Sequence, residues 1–132
     1  MKNIFRLILL LLIAISCEEE QKLTFEMVER NNQSCSDCPA IEITVPRALD
    51  DMAVADAINT ALEEEVISLL SFDDGGDIQN VDDAITSFTQ GYQELKSKFP
   101  DETVGWEADI KGEVLFEDPS VLTLAITSYT FT

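Results

Sequence analysis

Three cysteines, no histidine and a large surplus of carboxylates define the chemistry open to this 132-residue chain. Cys35 and Cys38 have the C-x-x-C spacing of a metal or redox pair. A zinc site would need two further thiolate or imidazole ligands; the chain has no histidine, and its one other cysteine, Cys17, closes an apolar leader. A thioredoxin-like pair belongs at a helix N-terminus, where the dipole lowers the thiol pKa, whereas Pro39 and an alternating strand pattern follow here. Two readings stay open: a tight disulfide formed in an oxidising compartment, or two free thiols. Asp73-Asp74-Gly75-Gly76-Asp77 brings a calcium loop to mind, but the twelfth position counted from Asp73 is Ala84 rather than a bidentate Glu. The stretch therefore reads as an interhelical turn. Asp109 and Glu113 are the outward-facing carboxylates to inspect for a paired-carboxylate hydrolase, which requires a defined separation within a cleft. No catalytic residue, cofactor or metal site is assigned.

Cys17 carries the most specific chemistry. Lys2 and Arg6 precede the apolar run Leu7–Ile15, which is too short to span a hydrocarbon core needing about 20 helical residues. Residues 1–16 thus read as a cleaved export signal. Ala14-Ile15-Ser16-Cys17 resembles a bacterial lipobox, with a small residue before the cysteine and Ala14 where leucine is usual. On that resemblance Cys17 is lipidated, residues 17–21 form an acidic tether through Glu18-Glu19-Glu20, and the protein sits at an outer membrane or cell surface, outside the cytoplasm. The acidic triplet is similar to the tether of Bacteroidetes-type surface lipoproteins.

The net charge is −18; without Lys2 and Arg6, the chain beyond the leader has 26 acidic and six basic side chains, a net of −20. Nucleic acid is excluded as a partner, since phosphate recognition needs a basic footprint. A cationic partner is compatible with this field, as is a surface whose charge serves solubility alone.

The elements that must position these groups follow from periodicity. Leu23, Phe25 and Met27 alternate as a first strand over 22–30, and Ile41, Ile43 and Val45 as a second over 40–46, ended by Pro46. The cysteine loop joins them. Val54, Ile58, Leu62, Val66, Leu69 and Leu70 predict one helix, with Asp50 and Asp51 as carboxylate caps. Val81, Ala84, Ile85, Phe88, Tyr92, Leu95 and Phe99 predict a second, capped by Asn80 and stopped by Pro100, with Tyr92 and Phe99 as core aromatics. Trp106, Ala108, Ile110, Val114 and Phe116 share one face of a strand within 103–116, and a Pro119 turn leads to a partner over 121–132. There Tyr129 and Phe131 fall on the parity opposite to Leu122, Leu124 and Ile126, so a bulge near Thr127 or cover on both faces is expected. The fold class is α+β: an antiparallel sheet of about four strands, two helices on one face, order β-β-α-α-β-β.

That order, with Ile43-Thr44-Val45-Pro46, the tryptophan strand and the ending Ser128-Tyr129-Thr130-Phe131-Thr132, resembles the PdaC-type domain of unknown function, the N-terminal half of the RsiV-like extracellular module, over residues 22–132. In that family the last segment runs on into a Gly-Gly-Ala-His stretch opening a second domain, so the resemblance implies a missing C-terminal partner domain, or a pairing chain at the 121–132 strand edge. Some relatives bind lysozyme, a cationic protein; others are joined to a polysaccharide deacetylase. The resemblance implies a non-catalytic binding module at the cell envelope, for a cationic protein or cell-wall glycan. The alternative is an accessory domain of an envelope deacetylase or hydrolase whose catalytic part is absent.

Overall fold

The computed structural model describes residues 22–32, 37–50, 52–71, 78–101, 105–118 and 120–131. Within them run β1 (Phe25–Asn31), β2 (Ala40–Ala48), α1 (Ala53–Leu70), α2 (Val81–Lys98), β3 (Glu107–Glu117) and β4 (Leu122–Phe131). This is the expected α+β succession. The strands form one sheet in the order β1-β2-β3-β4, antiparallel at β1–β2 and β3–β4 and parallel at β2–β3. The parallel pair departs from a wholly antiparallel sheet, and the path of the helices explains it. Lys96, in the last turn of α2, pairs with Asp37 just before β2, and the Ala40 N–H donates to the Trp106 carbonyl at 3.2 Å. The helices therefore return the chain to the end where β2 starts, and β3 runs beside it in the same direction.

The helices cover the face bearing Ile41 and Ile43 of β2 and Ala108 and Ile110 of β3. With Val66 and Leu70 of α1 and Val81, Ala84 and Phe88 of α2 these form the buried core. Removing each such large side chain from water contributes about 1.5–3 kcal/mol. Trp106 packs edge-on against Phe88, with centroids 5.3 Å apart, and lies over Gly91, where an added Cβ would meet its ring at 3.3 Å. A glycine inside a helix costs about 1 kcal/mol relative to alanine. The indole's close approach accounts for its presence.

The buried stripe of α1 is Ala55, Leu62, Val66 and Leu70, rotated from the expected one, and Val54 is exposed. The rotation lets Asn59 close the end of β2: its amide accepts from the Ala48 N–H (2.8 Å) and donates to the Ala48 carbonyl (3.0 Å). Asp50 does not cap α1 either. The N-cap is Met52 with no side-chain bond, and Asp50 instead accepts the Thr24 N–H at the head of β1; Asp51 lies outside the described residues. The second helix follows expectation at its start, where Asn80 accepts from the Asp83 N–H and Asp83 accepts from the Asn80 amide. At its other end Phe99 leaves helical geometry and is exposed rather than core.

Pro46 does not end β2, which continues to Ala48 paired with β1. The Ala48 N–H and C=O turn away from β1, toward Asn59, so by strand alternation the Pro46 nitrogen points to the β3 side. The β2–β3 ladder has already stopped at Thr44 and Lys111, so the proline stands beyond the last pair and its missing N–H interrupts no ladder bond. Gly112 lies where the proline ring juts across: a Cβ there would stand 2.8 Å from Pro46 Cδ.

The bulge expected near Thr127 lies on the opposite strand. The β3–β4 register is continuous from Glu107 through Val114 and shifts between Val114 and Phe116. Tyr129 and Phe131 consequently stand on the sheet face away from the helices, exposed.

Candidate functional site

The open face of the sheet gathers the chain's outward carboxylates with its exposed aromatics. Alternation places Glu42 of β2 and Asp109 of β3 side by side, and directly opposite residues of an antiparallel pair share a face, which adds Tyr129. One row across the four strands thus reads Asn31, Glu42, Asp109, Tyr129; the next reads Glu29, Thr44, Lys111, Thr127. Glu107 faces Phe131 at the end of β3. Tyr129 is 58% and Phe131 54% exposed.

Lys111 is the cation of this face. Its ammonium lies 2.7 Å from Asp109 Oδ2, and that hydrogen bond, helped by the charges of Asp109 and Glu42, raises its pKa above the usual 10.5. Asp109 Oδ1 meets no donor. Glu42, Glu107 and Asp109 also line a shallow cleft of about 290 Å³ with Asn32, Cys38 and Pro39, at the end of the sheet where β2 and β3 begin. Asn32 holds this end together, donating to the Pro39 carbonyl and accepting the Ile41 N–H.

Cys38 is disulfide-bonded. Cys17 and Cys35, the chain's other two cysteines, lie outside the described residues, as do the leader, the acidic tether and Asp73–Asp77. Among the described residues no group of Cys, Asp and Glu is placed to hold a metal ion, and no helix is long and apolar enough to cross a membrane. Asp109 and Glu113 share the open face, but four residues of extended strand separate their Cα atoms by about 13 Å. Lys111 stands between them on that face, with its ammonium bonded to Asp109. Glu113 is also not among the residues lining the Asp109 cleft.

On the helix side, Arg30 and Arg47 border a small cavity of about 60 Å³ between α1 and the β1–β2 hairpin, floored by Val28, Ile43, Val45 and Val66. Arg30 is held by Asp82 at 2.7 Å, and the Asn59 amide is committed to Ala48. This is a seam of the fold rather than a ligand pocket.

Sequence periodicity points to Asp109 and Glu113 but misses Glu42, Tyr129 and Phe131 as members of one surface. Glu42 reads as an ordinary outward residue of β2, and the aromatic pair reads as a break in parity. Their spacing, two residues apart on the uncharged strand, is the available signal; its partners are fixed only by register.

No protein-family model matches the chain, and no curated protein or solved structure matches it either. The class of protein is defined by its fold and surface alone: an α+β domain whose four-stranded mixed sheet is covered by helices on one side and bears carboxylates beside exposed aromatics on the other.

Proposed function

We propose that the chain is a lipid-anchored, non-catalytic recognition module of the cell envelope, of PdaC type, which binds a cationic protein through the open face of its sheet. The observation that carries this reading is the registration of exposed Tyr129 and Phe131 against Asp109 and Glu107. A lysine or arginine side chain laid there meets a carboxylate with its charged head and an aromatic ring with its stem or guanidinium plane, two attractions that act together. The surrounding field has the same sign: of the described cations only Arg47 has no carboxylate within ion-pair distance, whereas many carboxylates have no cation. Fields of this kind steer oppositely charged partners and weaken with salt.

A pull-down with lysozyme, a cationic protein, tests the reading at 0.05 and 0.5 M salt. Binding should be present in the first buffer and largely lost in the second. Asp109→Asn with Glu107→Gln should reduce it, and Tyr129→Ala with Phe131→Ala should reduce it at both salt concentrations. Binding indifferent to salt and to all four substitutions would refute the assignment. The anchor is tested separately by metabolic fatty-acid labelling: label should enter the parent and not Cys17→Ser, and label in the variant would contradict acylation at Cys17.

A further inference from the structure

The two edges of the sheet are unlike. β1, at one edge, carries Glu26, Glu29 and Arg30, charges of the kind that blunt edge-to-edge pairing. β4, at the other, is ten residues long, has no proline, and is the one described element without a charged side chain. Its outer row of N–H and C=O groups has no strand beside it among the described residues. A long, uncharged edge is a template for another strand.

The occupant follows from charge and from the distribution of side-chain sizes along β4. In a chain of net charge −18, most surfaces would meet their own copy as like charge against like charge; β4 would not. Its first half carries small or β-branched residues on the open face, Thr123 and Ala125, and its second half carries Tyr129 and Phe131. An antiparallel strand of a second copy, turned about a two-fold axis at Thr127, sets Phe131 across from the second copy's Thr123 and Tyr129 across from its Ala125. Phe131 then faces β-branched Thr123, a stabilising cross-strand pair, and Tyr129 faces Ala125, whose small side chain leaves room for the ring. The two-fold axis makes this contact isologous and closed, so pairing stops at two.

We infer that β4 is a homodimerisation edge, through which two copies join their sheets antiparallel about Thr127 into one eight-stranded sheet. The inference goes beyond the binding reading: it shares Tyr129 and Phe131 with it but rests on the unpaired, uncharged main-chain edge of β4, which the binding reading does not use.

Residues paired directly across an antiparallel ladder have Cα atoms about 4.5–5.5 Å apart, within the 4.4–6.8 Å range that a disulfide bridges. The test is mild oxidation of the full chain in its native compartment with single cysteines placed along β4. Thr127→Cys should give the most covalent dimer, with yields falling on either side at Ala125 and Tyr129. A maximum elsewhere on β4 would overturn the proposed register, and dimer yields no higher along β4 than at Met27 on β1 would overturn the interface. Thr127→Glu supplies a second arm. Within one chain the new carboxylate faces Lys111, so the fold is retained; across the two-fold axis it faces itself. Sedimentation of the full chain should show the parent dimer converted to monomer by Thr127→Glu, which still melts cooperatively but, unlike the parent, with a midpoint independent of protein concentration. A Thr127→Glu protein as dimeric as the parent would refute the pairing. Neither arm uses a ligand, so failure of the lysozyme experiment leaves this result unaffected.

Discussion

Replacing Gly112 with alanine tests how β2 and β3 part. The added Cβ would stand 2.8 Å from Pro46 Cδ and 3.2 Å from Val45 Cγ1, against the roughly 3.5–4.0 Å of comfortable carbon–carbon contact. The ring cannot swing aside, because it is part of the backbone of β2, which is paired along its other side with β1 from Phe25 to Asn31. Relief requires the strands to separate by roughly 0.7 Å at a buried point, and overpacking of this kind costs about 1–3 kcal/mol. Against it, loss of glycine freedom in the unfolded chain favours alanine by about 0.4–1 kcal/mol. The expected net loss is about 1–2 kcal/mol, a thermal midpoint lower by roughly 5–15 °C in a domain of this size. Circular dichroism melts and urea titrations measure it. Gly105→Ala, where an added Cβ meets nothing within 4 Å, is the control. Adding Pro46→Ala to Gly112→Ala removes the obstructing ring and should restore about 1 kcal/mol as a favourable coupling. If Gly112→Ala melts at or above the Gly105→Ala control, the proline–glycine contact does not shape the divergence of these strands.

Asn59→Ala removes both bonds to the main chain of buried Ala48 and should cost about 1–3 kcal/mol in urea unfolding, more than an exposed α1 substitution such as Thr60→Ala. Phe88→Ala empties the centre of the core and removes the edge-on contact with Trp106; a loss of about 3–5 kcal/mol is expected, with a changed indole fluorescence in whatever native state remains. The raised pKa of Lys111 gives a pH dependence of known sign. Between its unfolded and folded values the native chain holds the extra proton, so the contribution is complete below about pH 10.5 and is lost as pH rises through the folded value. Lys111→Met should therefore flatten the alkaline part of the stability profile, though only slightly because the group is exposed. An unchanged profile between pH 9 and 12 would remove the Lys111–Asp109 contact from consideration.

The succession of six elements is legible in the sequence because each has an uninterrupted period, as in Ile41 and Ile43 or in Val81, Ala84 and Phe88. What it conceals depends on contacts between elements. Asp50 looks like a helix cap until Thr24, 26 residues earlier, takes its carboxylate. Val54 and Ile58 fit the α1 stripe as well as Ala55 and Asn59 do by spacing, and only the demand of the Ala48 peptide decides the rotation. Pro46 reads as a stop until the direction of its missing N–H is known. The parallel β2–β3 pair is hidden for the same reason, since direction is set by where α2 delivers the chain. At the candidate surface, the alternation puts Asp109 outward correctly, but Tyr129 joins it only through a β3–β4 register that the irregularity after Val114, rather than one near Thr127, makes possible.

Salt separates the two associations assigned to this molecule, because they draw on opposite features of one charge distribution. A cationic partner is attracted by the carboxylates around Asp109, and screening weakens that attraction; exposed charges more than about 10 Å apart cease to act strongly on one another by 0.1 M salt. A second copy is repelled by the same carboxylates and held only through the uncharged main chain and side chains of β4, so screening strengthens its association. Raising the salt from 0.05 to 0.5 M should therefore release lysozyme and increase the dimer fraction in parallel measurements on one preparation. Thr127→Glu should abolish the second response without weakening the first, since it sets a like charge across the two-fold axis and adds one more carboxylate to the open face beside Tyr129. If both associations weaken with salt, the dimer is held by ion pairs away from β4, and the absence of charge on that strand has another cause.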